Sequence, residues 1–235
     1  MVFKDGDFVL VEYSAWRVAD NSLFYTTDEK KAKEHNVFAD GTKYGPQLII
    51  LGSNGIVKGL EKNIKEMELN QSKVIEVNPE EGFGARSADL VRVLPINDFR
   101  KREIEPYVGM RVDLDGATAV VKSVNSGRVL VDANHPLAGE KVRYDIKVVE
   151  KLEDDGKKVE NLVDYYGLKS LSVKIDGEKG MISFGSDIKK DANYFVAKTA
   201  MAEAVLKYVR KINSLEIIEE YARSEQQSNK AAQPS

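Results

Sequence analysis

Between Phe8 and Ser14 the chain reads Phe-Val-Leu-Val-Glu-Tyr-Ser, and Val9, Val11 and Tyr13 share one face at period two, the mark of a half-buried strand. The charged stretch Asp28 to His35 predicts one or two solvated helical turns before Gly41, and Gln47 to Leu51 a short strand closed by Gly52. From Gly59 the period changes. Leu60, Ile64 and Met67 stand at i, i+4 and i+7 with Glu61, Lys62, Lys65 and Glu66 outside the stripe, which predicts an amphipathic helix up to Asn70. Strand character resumes from Lys73 to Val77 before Pro79.

Residues 88–133 read as a separate small all-β unit. It opens with Leu90 to Pro95 and holds β-like runs at Met110 to Leu114, Ala119 to Val124 and Arg128 to Asp132. Asp115-Gly116 and Asn125-Ser126-Gly127 join them, and glycine there supplies the positive φ of tight hairpins. Val142, Tyr144, Ile146 and Val148 then alternate in a long strand that needs an existing sheet to join. The sheet of the first eighty residues is the natural one, so 88–133 is an insertion and 1–87 with 134–153 form one discontinuous domain. Glu153 to Lys158 reads as a polar linker.

A C-terminal α-β-β-α-β unit follows over 154–224. Its first helix carries Val159, Leu162, Val163 and Tyr166, and a hairpin runs Leu171 to Phe184 through Asp176-Gly177. A long helix spans Asn193 to Ile212, with Met201, Val205, Tyr208 and Ile212 on one stripe and Phe195, Ala202, Leu206 and Val209 on the flank. Leu215, Ile217 and Tyr221 suggest a last strand. A helix apolar over so much of its circumference needs cover on two sides, and a unit of this size has a marginal core, so a homodimer through 154–224 is expected. Residues 225–235 lack large apolar side chains and are expected to be a disordered tail.

Composition narrows the chemistry. Thirty-five basic against 38 acidic residues leave a net charge of −3, with no basic stripe to replace phosphate counterions, so no nucleic acid is expected as a partner. Zero cysteines and two histidines, His35 and His135, leave no thiolate or histidine-rich metal site, and no metal or cofactor is expected. The charged start Met1 to Asp7 does not read as a signal peptide, and no apolar run is long enough to span a membrane. The expected compartment is the cytoplasm. No nucleophile elbow, P-loop or paired-histidine motif occurs. Aromatic and aliphatic residues instead stand beside glycine-rich turns: Tyr13, Phe24, Ile56-Val57-Lys58-Gly59-Leu60-Glu61, Phe83 and Tyr144. Periodicity alone reads them as the core of a sheet with one helix packed on it.

Their order changes that reading. Tyr13, the Gly52…Ile56-Val57-x-Gly59-Leu60-Glu61 run, the Gly82-Phe83-Gly84 turn and the closing Val142-x-Tyr144-x-Ile146-x-Val148 strand resemble the FKBP-type peptidyl-prolyl isomerases. Asn134-His135-Pro136-Leu137-Ala138-Gly139 is similar to the signature where the SlyD-like subgroup returns from its insert-in-flap chaperone domain, and the whole looks like the long archaeal form. The resemblance implies an α+β fold: an antiparallel half-barrel around one helix, with the insert and the C-terminal domain appended. It implies that Tyr13, Phe24, Ile56, Val57, Leu60, Phe83 and Tyr144 line a prolyl pocket, with the Val57 N–H anchoring the substrate carbonyl. Departures are Tyr25 where many members have aspartate, Gln47 where an aromatic is frequent, Leu60 in place of a tryptophan floor, and Phe83 in place of a tyrosine whose hydroxyl bonds the ligand. No histidine-rich tail is present to hold nickel.

Two readings follow. One is a peptidyl-prolyl isomerase with chaperone activity that captures unfolded clients through Val91, Val93, Leu94, Ile96, Phe99, Val112, Val120 and Val129 of the insert, too small a unit to bury them all. The other is a non-catalytic dimeric holdase with a weak residual peptide site.

Overall fold

A computed structural model describes residues 3–114 and 116–222. Strand β1 (Phe8–Arg17) is the axis of the first sheet. Along one edge it pairs with β2 (Leu23–Thr26) at Ser14–Trp16 and, after the short helix α1 (Glu29–Glu34), with β3 (Gln47–Ile50) at Phe8–Val11. Helix α2 (Lys58–Glu66) leads to β4 (Ser72–Val77). The chain then leaves for a second sheet of β5 (Val91–Pro95), helix α3 (Ile96–Arg100), β6 (Arg111–Leu114), β7 (Ala117–Asn125) and β8 (Arg128–Asp132). It returns as β9 (Val142–Leu152), which fits between β1 and β4, all pairs antiparallel. The last unit is α4 (Asp155–Tyr165), β10 (Ser172–Asp176), β11 (Lys179–Phe184), α5 (Ala192–Tyr208) and β12 (Ser214–Glu219). There β10 and β11 are antiparallel, while β11 and β12 run parallel across the α5 connection.

Alternation on β1 decides the packing. Val9, Val11 and Ala15 turn toward α2, where they meet Leu60, Ile64, Met67, Ile75 and the β9 row Val142, Tyr144, Ile146 and Val148. Each fully buried Leu, Ile or Val on this face is worth about 1.5–3 kcal/mol relative to exposure. Gly59 lets the helix approach β4: a Cβ there would lie 2.6 Å from Val77 Cγ1.

The opposite face of the same strands is also buried. Phe8, Leu152 and half-buried Leu10, Leu48 and Ile50 belong to one core with Val159, Leu162, Val163, Met201 and Val205. The C-terminal helices therefore have their second cover inside the chain, from the outer face of the first sheet. This corrects the expectation that α5 needs a second copy to cover its other side. Of the predicted flank, Val209 is buried while Phe195 and Leu206 stay exposed.

Three further expectations are corrected. The linker shrinks to Glu153 and Asp154, because Asp154 caps α4 by accepting the Lys157 N–H at 2.9 Å, and the polar residues after it form the first turn. Helix α5 ends at Tyr208, four residues early, and Ile212 reaches the core from the turn beyond it. The insert is not all-β, since α3 plugs its sheet with Phe99. The expected tail, 225–235, lies outside the described residues.

The two chain segments entering and leaving the second sheet are clamped together. Asn134 accepts the Ser87 N–H at 2.8 Å and returns its side-chain amide to the Ser87 carbonyl at 2.9 Å. Asp132, 3% exposed, accepts the Asn134 N–H, the Asn134 amide and the Arg86 guanidinium. Burial works to raise its carboxyl, but the Asn134 and Arg86 hydrogen bonds outweigh that and hold it below its usual 3.8.

The clamp's contribution is therefore fully present above the ordinary aspartate pKa and is lost as pH falls through the lowered folded value. At neutral pH, Asp132→Ala should cost about 2 kcal/mol, and hydrogen exchange at Ser87 and Asn134 should quicken about tenfold or more. Unchanged exchange at both amides would show that the segments are held by other contacts.

Candidate active site

Helix α2 starts where the chain leaves the first sheet through Asn54 and Gly55. Val57 is extended and caps the helix: its carbonyl accepts the N–H groups of Leu60 and Glu61, both at 3.1 Å. Its own N–H finds no acceptor among the described residues. Beside it opens a cavity of about 850 Å³. Leu60 and Tyr144 lie buried at its base, and Tyr13, Phe24, Ile56, Val57 and Phe83 form its walls. The seven predicted pocket residues thus line one cavity.

Among the further lining residues that the sequence did not assign to the pocket, Ala15, Tyr25, His135 and Leu137 add apolar or ring surface, while Lys58 and Glu80 bring charged side chains to the cavity. Phe83 stacks face to face on His135, with centroids 4.5 Å apart and planes 5° from parallel, and meets Phe24 edge-on at 6.2 Å. His135 Nδ1 accepts the Leu137 N–H at 3.1 Å, and Gly139 donates to the Gly84 carbonyl at 2.8 Å, so the segment returning from the insert is tied to the Phe83 turn. The Asn-His-Pro-Leu run was legible as a boundary signature; that its ring forms a wall needed the fold. Gln47 lies outside this cavity, with its amide turned to the carbonyls of Lys43 and Gly45.

The site is aromatic and carries no charge on its tyrosines. Tyr13 and Tyr25 stack at 5.1 Å, and Tyr144 tilts against Tyr13 at 6.3 Å. Burial, then the neighbouring Tyr25, pushes the Tyr13 hydroxyl far above its ordinary 10.0. Burial alone pushes Tyr144 up to about 12. Burial also raises Tyr25, partly offset by its hydrogen bond with the Tyr13 hydroxyl. Such a pocket offers shape, apolar surface and neutral hydroxyl dipoles, with no phenolate to act as a base at neutral pH. Among the described residues no group of His, Asp and Glu could hold a metal ion, and no helix is long and apolar enough to cross a membrane.

The eight apolar residues assigned to the insert divide between two faces. Phe99, 7% exposed, and Val129, 0% exposed, are core, with Leu94, Ile96 and Val112 packed against them. Val129 is thereby unavailable to a client, a correction that follows from the period-two alternation of the sheet, and Phe99 is turned mostly into the core from α3. Val91, Val93 and Val120 belong to the other face, with Leu130 beside Val93 across the strands. Val93 is 58% exposed. Leu94, Phe99 and Val112 also edge a cleft of about 710 Å³ between α3 and β6.

A family model described as FKBP-type peptidyl-prolyl cis-trans isomerase matches residues 2–98, and one described as FKBP26, IF domain, matches residues 92–137. The short-type peptidyl-prolyl cis-trans isomerase of Methanocaldococcus jannaschii is 31% identical over 147 residues, covering 63% of this chain and 92% of that protein. The SlyD isomerase of Haemophilus influenzae is 34% identical over 112 residues, 46% of this chain and 58% of the relative. The FKBP-type 16 kDa isomerase of Escherichia coli K12 is 31% identical over 110 residues, 45% and 73% respectively.

The raised Tyr144 value has a measurable sign. A hydroxyl held neutral by the fold stabilises it fully below its ordinary pKa of 10.0, and that stability is lost as pH rises through about 12. Urea unfolding across that window should show the native chain weakening more steeply than Tyr144→Phe. Parallel curves would place Tyr144 in contact with solvent.

Proposed function

We propose, from the premise that this chain belongs to the family of FKBP-type peptidyl-prolyl cis-trans isomerases, that the aromatic cavity above α2 is where X–Pro bonds rotate. The observation that carries this is one cavity uniting Tyr13, Phe24, Ile56, Val57, Leu60, Phe83 and Tyr144 beside the Val57 N–H, which has no acceptor among the described residues. Rotation passes through a twisted amide that has lost resonance, over a barrier of roughly 18–20 kcal/mol. Resonance places charge on the planar amide's oxygen, so water favours the ground state. An apolar pocket withdraws that preference, and its shape favours the twisted form. Lowering the barrier by about 5 kcal/mol accelerates exchange by between a thousand- and ten-thousandfold, with no proton transferred. The Val57 N–H holds the substrate carbonyl while the ring sits over Leu60.

In this reading the insert captures unfolded clients on the open face that carries Val91, Val93, Val120 and Leu130, and so concentrates X–Pro bonds near the pocket. A non-catalytic holdase is the second reading. What favours it is Phe83, which meets His135 with a flat ring and brings no hydroxyl to the ligand. The exposed Phe195, Val196 and Leu206 on α5 and Ile218 on β12 support pairing of two chains through the C-terminal unit, which would present two pockets to one client. Without cysteine the chain makes no use of an oxidising compartment, which suits the cytoplasm.

The wild-type chain should accelerate exchange in X–Pro tetrapeptides, and Tyr13→Ala or Phe24→Ala should lower kcat/KM about tenfold or more while the fold persists. Val93→Asp with Leu130→Asp should spare tetrapeptide turnover and abolish suppression of aggregation. Aggregation suppression without turnover in the wild type would establish the holdase.

In sedimentation equilibrium at micromolar concentration the chain should weigh close to twice its 26.2 kDa. Phe195→Asp with Leu206→Asp should halve that weight. A monomeric wild type would end the pairing proposal.

A further inference from the structure

Tyr13 and Tyr25 are a wall with two sides. Behind them lies a second cleft of about 320 Å³, built jointly by the first sheet and the C-terminal unit. Gln47 and Ile56 line it from one side; Tyr165, Tyr166 and Tyr208 line it from the other. It shares Tyr13, Tyr25, Gly55 and Ile56 with the prolyl cavity, so the two lie back to back across one pair of rings. The Tyr165 hydroxyl is near enough to contribute to raising Tyr13, after burial, Tyr25 and Tyr144.

The cleft is held in place by the backbone. Gly167, at φ +70°, ends α4 in the left-handed conformation, with Gly167 N–H on the Asp164 carbonyl and Leu168 N–H on that of Val163, both at 3.0 Å. Asp164 pairs with Lys43 at 2.7 Å, which ties this helix end to the loop before β3. Tyr165 nevertheless remains 57% exposed, its ring edge-on to Tyr166 at 5.2 Å. Gln47 commits its amide nitrogen to Lys43 and Gly45, leaving its carbonyl oxygen as an acceptor. Rigid tyrosine rings beside a spare amide acceptor are what polypeptide recognition uses: broad contact area at low entropy cost, with polar tips for backbone groups.

We propose that this cleft is a second subsite for the client polypeptide. It takes an aromatic or large aliphatic side chain flanking the X–Pro bond, and Tyr165 and Tyr208 determine that specificity. The proposal rests on the isomerase reading of the neighbouring cavity. An extended chain advances about 3.3–3.6 Å per residue, so a client with its proline over Leu60 carries flanking residues across the Tyr13–Tyr25 wall. The C-terminal unit then takes part directly in choosing substrates.

The test uses the full chain, with exchange rates measured by two-dimensional NMR on an X–Pro tetrapeptide and on roughly ten-residue peptides carrying one Phe at successive positions on either side of the bond. One Phe position should raise kcat/KM by about fivefold or more over the same peptide with Ala. Tyr165→Ala and Tyr208→Ala should each remove that gain, read as the ratio of long to short peptide, while Tyr221→Ala, outside both cavities, keeps it. No positional preference, or an equal loss on short and long peptides in Tyr165→Ala, overturns the subsite. Should the wild type turn over neither peptide, the isomerase reading fails, and NMR titration of the preferred Phe peptide decides the cleft separately. Binding lost in Tyr165→Ala supports it, and binding retained overturns it. A Tyr165→Ala chain with an unchanged peptide ratio but a halved sedimentation weight assigns the cleft to a second copy, which also overturns it.

Discussion

Burial of the β1–β3 end of the first sheet on both faces is the constraint from which the rest follows. Phe8-Val-Leu-Val puts apolar groups on both sides of one strand: Val9 and Val11 reach α2, Phe8 and Leu10 reach α4 and α5. A strand flanked by two cores has no freedom to slip, because a one-residue shift would exchange the two sets of side chains. Tyr13 is thereby fixed in height and direction, and it is the wall on which both cavities lean.

The reaction asks little of such a scaffold in the way of charge. Rotating an amide needs neither acid nor base, so rings, aliphatic groups and hydroxyls that burial keeps protonated suffice for the seven residues that define the pocket. Position matters more than reactivity. The Phe83 turn and the His135 segment come from opposite sides of the insertion, and their stacking makes the pocket's outer wall depend on how the insert is rooted. The buried Asp132, with Asn134 and Arg86, is that root. The device that holds the insert in place thus also holds the aromatic wall.

Much of this was legible in the chain. Period two at Val9, Val11 and Tyr13 and at Val142 to Val148, and the i, i+4, i+7 stripe of Leu60, Ile64 and Met67, name the strands, the helix and the face they share. Local geometry alone sets those periods, so they survive in any sequence that folds this way. The glycine-flanked aromatics marked the pocket, and the separate β-like runs of 88–133 ahead of the Val142 to Val148 strand marked the insert.

What only the tertiary structure decided concerns which apolar surfaces meet. Phe8 and Leu10 break strict alternation, a signal of two-sided burial, but only the docked C-terminal helices show what covers them. Sequence periodicity carries no term for distant partners, so Val209 and Ile212 read as helix flank and stripe, although the helix stops at Tyr208. For the same reason Phe99 and Val129 read as client-binding when they are the insert's own core, and His135 read as a boundary when it is a wall. Local chemistry determined the elements and the aromatic character of the site; long-range packing chose which side chains each element would spend on the core and which it would leave exposed.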